Sequence, residues 1–361
     1  RYKTKKDNNY DCIIPVTGAN DSYYIVHLAK NKLGLNPLLV HYNKYFNTPL
    51  GIRNLSNLRI KFNCDLLIQN VNPISVKKIT RATINEIGSI YWHALAGHTV
   101  FPVQTAVRYK IPLIIWGAHQ GIEQVGMFSY HHEVEMTRRY RHDHDLFGYE
   151  DNQLINLSND LNDSDLWQYK YPSDEEISKN GIRGIYLNNY IRWDPLMQHL
   201  EMVNKFDYLS TNFARTFDTF DYSDCFNYMN LHDYLKLCKH GYSKVTDHAS
   251  REIRFKRLSR DQAIYLVKQY ELVPPLHVDL FAKWAGMKPK GIDFIINQHR
   301  NKSFWRERDV NDWIFKGLSS KLKIEKNVKK NDIVNFKHFF LKTFNEKNEK
   351  KYITFGKGFD N

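Results

Sequence analysis

Short apolar segments alternate with amphipathic ones over the first 117 residues of this 361-residue chain. The clearest strand pattern, IPLIIWG at 111–117, is apolar throughout, as expected for a strand buried on both faces of a parallel sheet. Similar patterns predict strands at 10–16, 36–42 and 65–69, and helices at 22–33, 50–62, 74–87 and 93–110. Alternation with short connections predicts an α/β fold with a doubly wound, mostly parallel sheet.

The turn Thr17-Gly18-Ala19-Asn20-Asp21-Ser22 (the 17–22 turn) joins the first predicted strand to the first predicted helix. Small residues there aim backbone N–H groups and a helix N-terminus at one point, which suits phosphate oxygens. No Gly-Lys-Ser/Thr closes the turn, so it is not a Walker loop. An ordinary turn with Asp21 or Ser22 as N-cap explains the same residues. If the position of Ala19 requires a positive φ, its Cβ costs roughly 1–2 kcal/mol.

Two further loops, at 41–43 and 117–126, also follow predicted strands. Because parallel strands end at the same edge of a sheet, ligands bind where such loops cluster. We therefore expect a ligand site at this edge. His41 and Asn43 either line it or form a solvated strand end.

The second half of the chain is mainly helical and aromatic. A charged helix is predicted at 133–146, a polar loop or insertion at 152–174, and a strand at 184–187. Helices are predicted at 196–204, 231–238, 260–270 and 278–286. We divide the chain into a nucleotide-binding core (1–126), a mainly helical part for substrate or partner (127–315) and a lysine-rich extension (316–361).

Composition excludes several classes of protein. Hydrophobic residues make up 42% of the chain, yet no apolar run approaches the roughly 20 residues of a membrane span. The cysteines are scattered without a C-x-x-C pair, which argues against a disulfide framework or a zinc ribbon and favours the cytoplasm. Because the chain begins with Arg, we expect it to start partway into a longer product.

The net charge of +13 is concentrated at the C-terminus. From Lys316 onward there are twelve lysines, five acidic residues and no arginine, a net +7. A segment with lysine but no arginine is poorly suited to sequence-specific contacts with bases, so binding to nucleic acid is not expected. A solvated basic tail is favoured, and contact with RNA or anionic lipid stays open.

Histidines form two groups along the chain. His93 and His98 flank a glycine in a predicted helix, and His119 follows the clearest strand, so all three are candidates for substrate binding or proton transfer. The second group is His131, His132, His142 and His144. A zinc site needs three or four convergent ligands, so it is the less favoured alternative.

Several blocks carry a resemblance that extends from about Tyr10 to Trp313: YDCIIPVTG at 10–18, GLNPLLV at 34–40, IPLIIWG at 111–117, GYSKVTDHA at 241–249, IR at 253–254 and LSRDQA at 258–263. Together they resemble the N-acetyl sugar amidotransferase family of the adenine-nucleotide alpha-hydrolase superfamily, also called PP-loop ATP pyrophosphatases (HUP-like fold). The 17–22 turn itself resembles that superfamily's Ser/Thr-Gly-Gly-x-Asp-Ser loop, which binds ATP that is cut between its α and β phosphates.

The resemblance implies an ATP-dependent conversion of a sugar acetamido group to an acetamidino group in bacterial surface polysaccharide (lipopolysaccharide, O-antigen) biosynthesis. An amide oxygen is a very poor leaving group, so it must first become an ester of AMP, which ammonia then displaces. The implied cofactors are ATP and Mg²⁺, and the implied partner is a separate glutaminase that supplies ammonia.

The resemblance also implies roles for individual residues. The whole 17–22 turn would hold the pyrophosphate end of ATP, and Asp21 would also hold Mg²⁺. The candidate catalytic residues are Asp21, Lys244, Asp247 and His119. Further ATP contacts are expected from His41, Asn43, Gly117 and Arg254. The positions of the histidines, and not the resemblance, are the reason for expecting substrate contacts from His93, His98 and His119.

This chain departs from the family pattern at three positions. Ala19 and Asn20 stand where relatives commonly have Gly and Lys, and Ala118 where they often have Glu. A protein that only binds nucleotide or sugar therefore stays open. A tRNA-modifying ligase is a further alternative, disfavoured because Cys225 and Cys238 are too far apart in sequence to form the expected pair.

Overall fold

The computed structural model describes residues 10–118, 135–324 and Val328. Its main sheet has five parallel strands in the order β3-β2-β1-β4-β5. They are β1 (Cys12–Pro15), β2 (Pro37–Tyr42), β3 (Leu66–Gln69), β4 (Leu113–Trp116) and β5 (Arg183–Tyr186). The prediction of an α/β fold with a mostly parallel sheet is confirmed.

Helices cover both faces of this sheet. They are α1 (Asn20–Val26, continued by a π-helical segment His27–Lys32), α2 (Pro49–Phe62), α3 (Pro73–Ile87) and α4 (Trp92–Tyr109). Alternate residues of β1 face opposite sides, as the strand period requires. Ile14 packs with apolar residues of α1 and α2, whereas Ile13 packs with those of α4.

β5 lies in the predicted second part of the chain, yet it completes the sheet by pairing with β4. Short helices lie between the two strands: α5 (Arg138–Tyr140, continued by the π-helical segment Arg141–Asp145), α6 (Asp151–Leu154), α7 (Asp163–Leu166) and α8 (Asp174–Lys179). The segment predicted as a loop at 152–174 therefore contains helical turns, and the start of the charged helix predicted at 133–146 lies outside the described residues.

The remaining elements confirm the mainly helical character of the C-terminal part. They are α9 (Pro195–Phe206), α10 (Phe226–His240), α11 (Lys244–Arg254), α12 (Arg260–Tyr270), α13 (Val278–Ala285), α14 (Pro289–Gln298), a hairpin of β6 (Trp305–Asp309) and β7 (Asp312–Phe315), and α15 (Leu318–Lys321). A large apolar cluster packs α10, α13 and α14 against α3 and α4. The sequence patterns did not predict α11, α14 or the hairpin.

Among the described residues, no helix is both long enough and apolar enough to cross a bilayer.

Glu271, at the end of α12, is 1% exposed and contacts the hydroxyl of Ser319 in α15. Burial raises its pKa to about 7, against the opposing effects of Ser319 and Arg215. The folded protein thus holds this proton more tightly than the unfolded chain. Protonated Glu271 therefore contributes to the free energy of unfolding. This contribution is fully present below the ordinary pKa of 4.5 and is lost as the pH rises through about 7.

Glutamine stays neutral at every pH. Between about pH 5 and about pH 8, we therefore expect the free energy of unfolding to fall by about 2–3 kcal/mol less in Glu271→Gln than in the wild type. Urea unfolding at the two pH values measures this difference. Glu86→Gln, at an exposed glutamate, is the control and should follow the wild type. Equal pH dependence in wild type and Glu271→Gln would contradict the prediction.

Candidate functional site

The 17–22 turn lies at the switch point of the sheet, where the order in which the strands are added reverses. The chain runs from β1 to β2 and β3 on one side, and β4 and β5 lie on the other. β1 pairs directly with β4, with Ile13 opposite Ile114. The turn that follows β1 and the loop that begins at Gly117 therefore leave the same edge side by side. In open α/β sheets this crevice is the usual ligand site.

Hydrogen bonds within the turn fix its backbone. The amide of Thr17 donates to Ser22 Oγ at 2.8 Å, and the amide of Ala19 donates to Thr17 Oγ1 at 3.1 Å. The N-cap of α1 is Ala19, so the interpretation of Asp21 or Ser22 as N-cap is wrong. Ala19 has φ −84°, an extended conformation open to any residue. Alanine at this position therefore carries no left-handed strain.

Asn20 is the first residue of α1 and is 1% exposed. Within the described part of the chain, neither its Oδ1 nor its Nδ2 has a hydrogen-bond partner. Leaving a buried polar group unpaired costs about 1–3 kcal/mol, so this amide is suited to a group from outside the chain. Asp21 follows it, half-buried in the first turn of the helix.

Three backbone segments press together behind the turn. A Cβ placed on Gly18 would lie 2.4 Å from the carbonyl oxygen of Gly51 in α2. A Cβ on Gly51 would in turn lie 2.5 Å from Cα of Asp224. Thr48, the N-cap of α2, donates its hydroxyl to the carbonyl of Ser223 at 2.9 Å. The 216–225 segment is thereby joined through α2 to the turn.

Lys44 and Asp224 form a buried ion pair at this junction, with 4% and 5% of their surfaces exposed. Burial lowers the pKa of Lys44, but the nearby Asp224 carboxylate outweighs this and raises it above its usual value. The lysine is therefore charged. Sequence patterns did not predict this pair, although Lys44 follows two predicted site residues, His41 and Asn43.

His41 and Asn43 line a narrow cleft together with Gly18, Gly51 and Asp224. Both are buried, so the alternative of a solvated strand end is wrong. Burial lowers the pKa of His41 to about 4, and its ring nitrogen Nδ1 donates to the carbonyl of Val16 at 2.8 Å. The structure thus brings these two predicted residues to the turn.

The side chain of Asn43 already has internal partners. It donates to Asn70 Oδ1 at 2.7 Å and accepts from the amide of Tyr45 at 3.0 Å. These bonds tie the end of β2 to the loop after β3. Gly117 sits on the other side of the turn, where a Cβ would lie 2.8 Å from Cδ1 of Ile25 in α1.

The predicted block at 241–263 lies mostly on α11 and α12. Lys244 is half-buried at the start of α11, and its amide donates to Asp233 Oδ1 at 2.6 Å. Asp247 is buried and accepts from Lys236 Nζ at 2.5 Å. Arg254 is exposed at the end of the helix. The block is therefore mainly helical, with Lys244 at the N-terminus of α11.

Side chains of α11 also form a buried network that sequence patterns did not predict. His248 Nε2 lies 2.7 Å from Asp221 Oδ2, and Arg251 donates from Nη2 to Asp218 Oδ2 at 2.6 Å. Although burial alone raises the pKa of Asp221, His248 and Arg251 hold it well below its usual value. The sequence offers one sign of this network. The two acidic residues are three positions apart, and so are the two basic residues that pair with them.

Asp218, Asp221 and His248 present possible metal-ligand atoms within 4.8 Å of one another. The guanidinium of Arg251 already occupies this side of both carboxylates, at 2.6 Å and 3.6 Å. A divalent cation would have to compete with that charge, so we interpret the network as the link that holds the 216–225 segment on α11. The predicted magnesium ligand Asp21 remains the better candidate, because Mg²⁺ commonly uses one or two carboxylates with phosphate oxygens.

The predicted histidines have separate environments. His93 is fully buried in the core, with its ring 5.1 Å from that of Phe46, so its environment does not match the predicted substrate contact. His98 lines a cavity beyond β4, whereas His119, His131 and His132 lie outside the described residues. His142 contacts Asp143 at 2.7 Å. Among the described residues, these histidines do not form a group of three metal ligands.

Comparison with protein families gives one result for this chain. Residues 202–319 match the family model described as "LPS biosynthesis protein WbpG-like, C-terminal domain". No curated protein matches the chain. The matched third contains the 216–225 segment and α11, so the part of the molecule that packs behind the 17–22 turn is similar to a domain from a lipopolysaccharide (LPS) biosynthesis family.

Proposed function

We propose that this chain is an ATP-dependent amidotransferase of lipopolysaccharide biosynthesis, which converts a sugar acetamido group to an acetamidino group. The observation that carries the proposal is the position of the 17–22 turn, with its unpaired Asn20, at the switch point of the sheet. The similarity of residues 202–319 to an LPS biosynthesis domain supports the pathway.

The chemistry needs a good leaving group on the amide carbon. The acetamido oxygen attacks the α-phosphorus of ATP, pyrophosphate leaves, and the sugar carries an O-adenylated imidate. Ammonia then adds to the imidate carbon, a proton is lost, and AMP departs with the original oxygen. The products are the amidine, AMP and pyrophosphate. A separate glutaminase is the proposed source of ammonia.

The residues of the turn have the chemistry for this task. Backbone N–H groups at the start of α1 and the amide of Asn20 would bind phosphate oxygens. Asp21 would hold Mg²⁺, which supplies charge neutralisation when bound. Lys44 keeps the 216–225 segment against α2 by pairing with Asp224, so it acts as a positioning residue.

The two cysteines required by the tRNA-ligase alternative are poorly placed for catalysis. Cys225 and Cys238 are 3% and 0% exposed, and burial raises their pKa values to about 12 and about 11. A nucleophilic thiolate is therefore disfavoured at both positions.

Product analysis tests the proposed reaction. The chain is incubated with ATP, Mg²⁺, ammonium and a UDP-linked acetamido sugar, and nucleotides and sugars are separated and weighed by mass spectrometry. We expect equimolar AMP and pyrophosphate, and a sugar in which nitrogen replaces the carbonyl oxygen of the acetamido group. ADP and phosphate would contradict the proposal. Bound nucleotide without cleavage would favour the binding-only alternative.

A further inference from the structure

A second cavity, of about 250 Å³, lies beyond the carboxyl ends of β4 and β5 on the side of the sheet that α4 covers. We call it the β4–β5 cavity. Its lining includes His98, Trp116, Arg141, Asp145, Tyr171 and Tyr186. This volume is close to the lower end of the roughly 300–1,000 Å³ range of small-molecule pockets. Of these residues, only His98 was a site candidate from sequence.

The cavity and the 17–22 turn lie at the same edge of the sheet, one strand apart. Trp116 is the last residue of β4, and Ala118, two residues later, also lines the cavity. β4 is the direct neighbour of β1, which leads into the turn. A molecule in the cavity would therefore lie at the same sheet edge as a phosphate group held by the turn, one strand away.

Three lining residues have a buried polar atom without a partner in the described structure: His98 Nε2, Trp116 Nε1 and Arg141 Nη2. Arg141 is held firmly, because its Nε donates to Thr99 Oγ1 at 3.0 Å and its Nη1 binds the carboxylate of Glu150. The Nη2 group of this fixed guanidinium thus remains available to donate hydrogen bonds to a ligand. Each unpaired buried group costs stability unless a ligand supplies its partner.

Aromatic rings form much of the remaining lining. Trp116 and Tyr186 lie with ring centroids 6.4 Å apart at 30°, and Tyr171 packs under the Arg141 guanidinium at 4.6 Å. Flat apolar faces beside a few hydrogen-bonding groups suit a ring that has C–H groups on its faces and polar groups around its edge. A pyranose with an acetamido substituent has this character.

The charges in the cavity favour a neutral ligand over a phosphate. The positive charge of Arg141 is offset by Glu150, and burial lowers the pKa of His98 well below its usual value, so the imidazole is neutral. Burial raises the pKa of Asp145 to about 7, although Arg141 opposes the shift. The lining thus has little net charge near neutral pH.

We propose that the β4–β5 cavity binds the acetamido sugar ring, with His98, Trp116 and Arg141 contacting its polar groups. The inference rests on the proposed function, because that function supplies the substrate class. It assigns the sugar and the nucleotide to neighbouring sites, with the acetamido group at the boundary between them.

Saturation-transfer NMR without ATP tests this site separately from the reaction. The probes are the UDP conjugates of N-acetylglucosamine, N-acetylgalactosamine and N-acetylmannosamine, with UDP alone as reference. We expect saturation of the acetamido methyl protons of at least one conjugate. Saturation restricted to uridine protons, or no saturation of any probe, would overturn the proposal.

Variants locate the binding. His98→Phe and Trp116→Phe each remove one unpaired nitrogen and retain an aromatic ring, and each is expected to weaken sugar binding about tenfold. His232→Phe is the matched control, because His232 is also a neutral histidine, with a pKa lowered by burial to about 3, but lies on α10 outside this lining. Unchanged binding in both cavity variants, with thermal unfolding showing that they are folded, would place the sugar elsewhere. Sugar binding without AMP formation would leave this site standing and refute the proposed reaction.

Discussion

Replacing Asp21 with asparagine is expected to lower the rate of AMP formation roughly 10²- to 10³-fold, the usual effect of removing one preorganised electrostatic group from an active site. Asp21 is half-buried in the first turn of α1, directly after the unpaired Asn20. Asparagine keeps the shape of the side chain and removes the charge that would hold Mg²⁺. Initial rates at saturating ATP and acetamido sugar measure the effect.

Asp279→Asn is the matched control for this substitution. Asp279 also lies in the first turn of a helix, α13, but it is exposed, and that helix packs in the cluster around α10 and α14. Its replacement should leave AMP formation unchanged. If Asp21→Asn retained the wild-type rate, the reacting phosphates would not be held at this turn.

Replacing Asp224 with alanine is expected to lower the free energy of unfolding by about 3–5 kcal/mol, because it leaves a buried lysine without its counter-charge. Lys44 is only 4% exposed, and Asp224 is the carboxylate paired with it. The backbone of Asp224 also packs against Gly51, so the loss would loosen the link between the 216–225 segment and the turn. Urea unfolding of both proteins measures the difference.

The double variant Lys44→Met, Asp224→Leu separates charge from packing. Apolar residues of similar size often replace a buried ion pair at little cost, so this variant should recover most of the stability lost by Asp224→Ala. A double variant as unstable as the single one would show that the contacts of Asp224, and not its charge, matter here. A single variant with wild-type stability would show that Lys44 is not buried as a charge.

The first four strands were predictable from sequence because they are apolar and alternate with amphipathic helices. β5 was predicted as a strand, but local patterns do not encode its pairing with β4, which lies more than sixty residues earlier. α11 was missed for a different reason. Its buried residues include His248, Arg251 and Glu252, so the periodic apolar pattern that indicates a helix is absent.

The candidate site was predictable only where it is local. The 17–22 turn follows a clear strand, and its position at the edge of the sheet follows from the fold class. The pairing of Lys44 with Asp224 joins residues 180 positions apart, and the β4–β5 cavity collects aromatic residues from separate elements. Such contacts depend on tertiary packing, which a single sequence does not display.

A crystal structure of this chain with Mg²⁺ and α,β-methylene-ATP, an analogue that cannot be cut between its α and β phosphates, tests whether the 17–22 turn binds the nucleotide. We expect the phosphates to lie against the backbone of the turn, within hydrogen-bonding distance of the Asn20 amide, with the metal on Asp21. Nucleotide bound elsewhere, with the turn and the Asn20 amide making no contact to it, would show that the turn is not the nucleotide site.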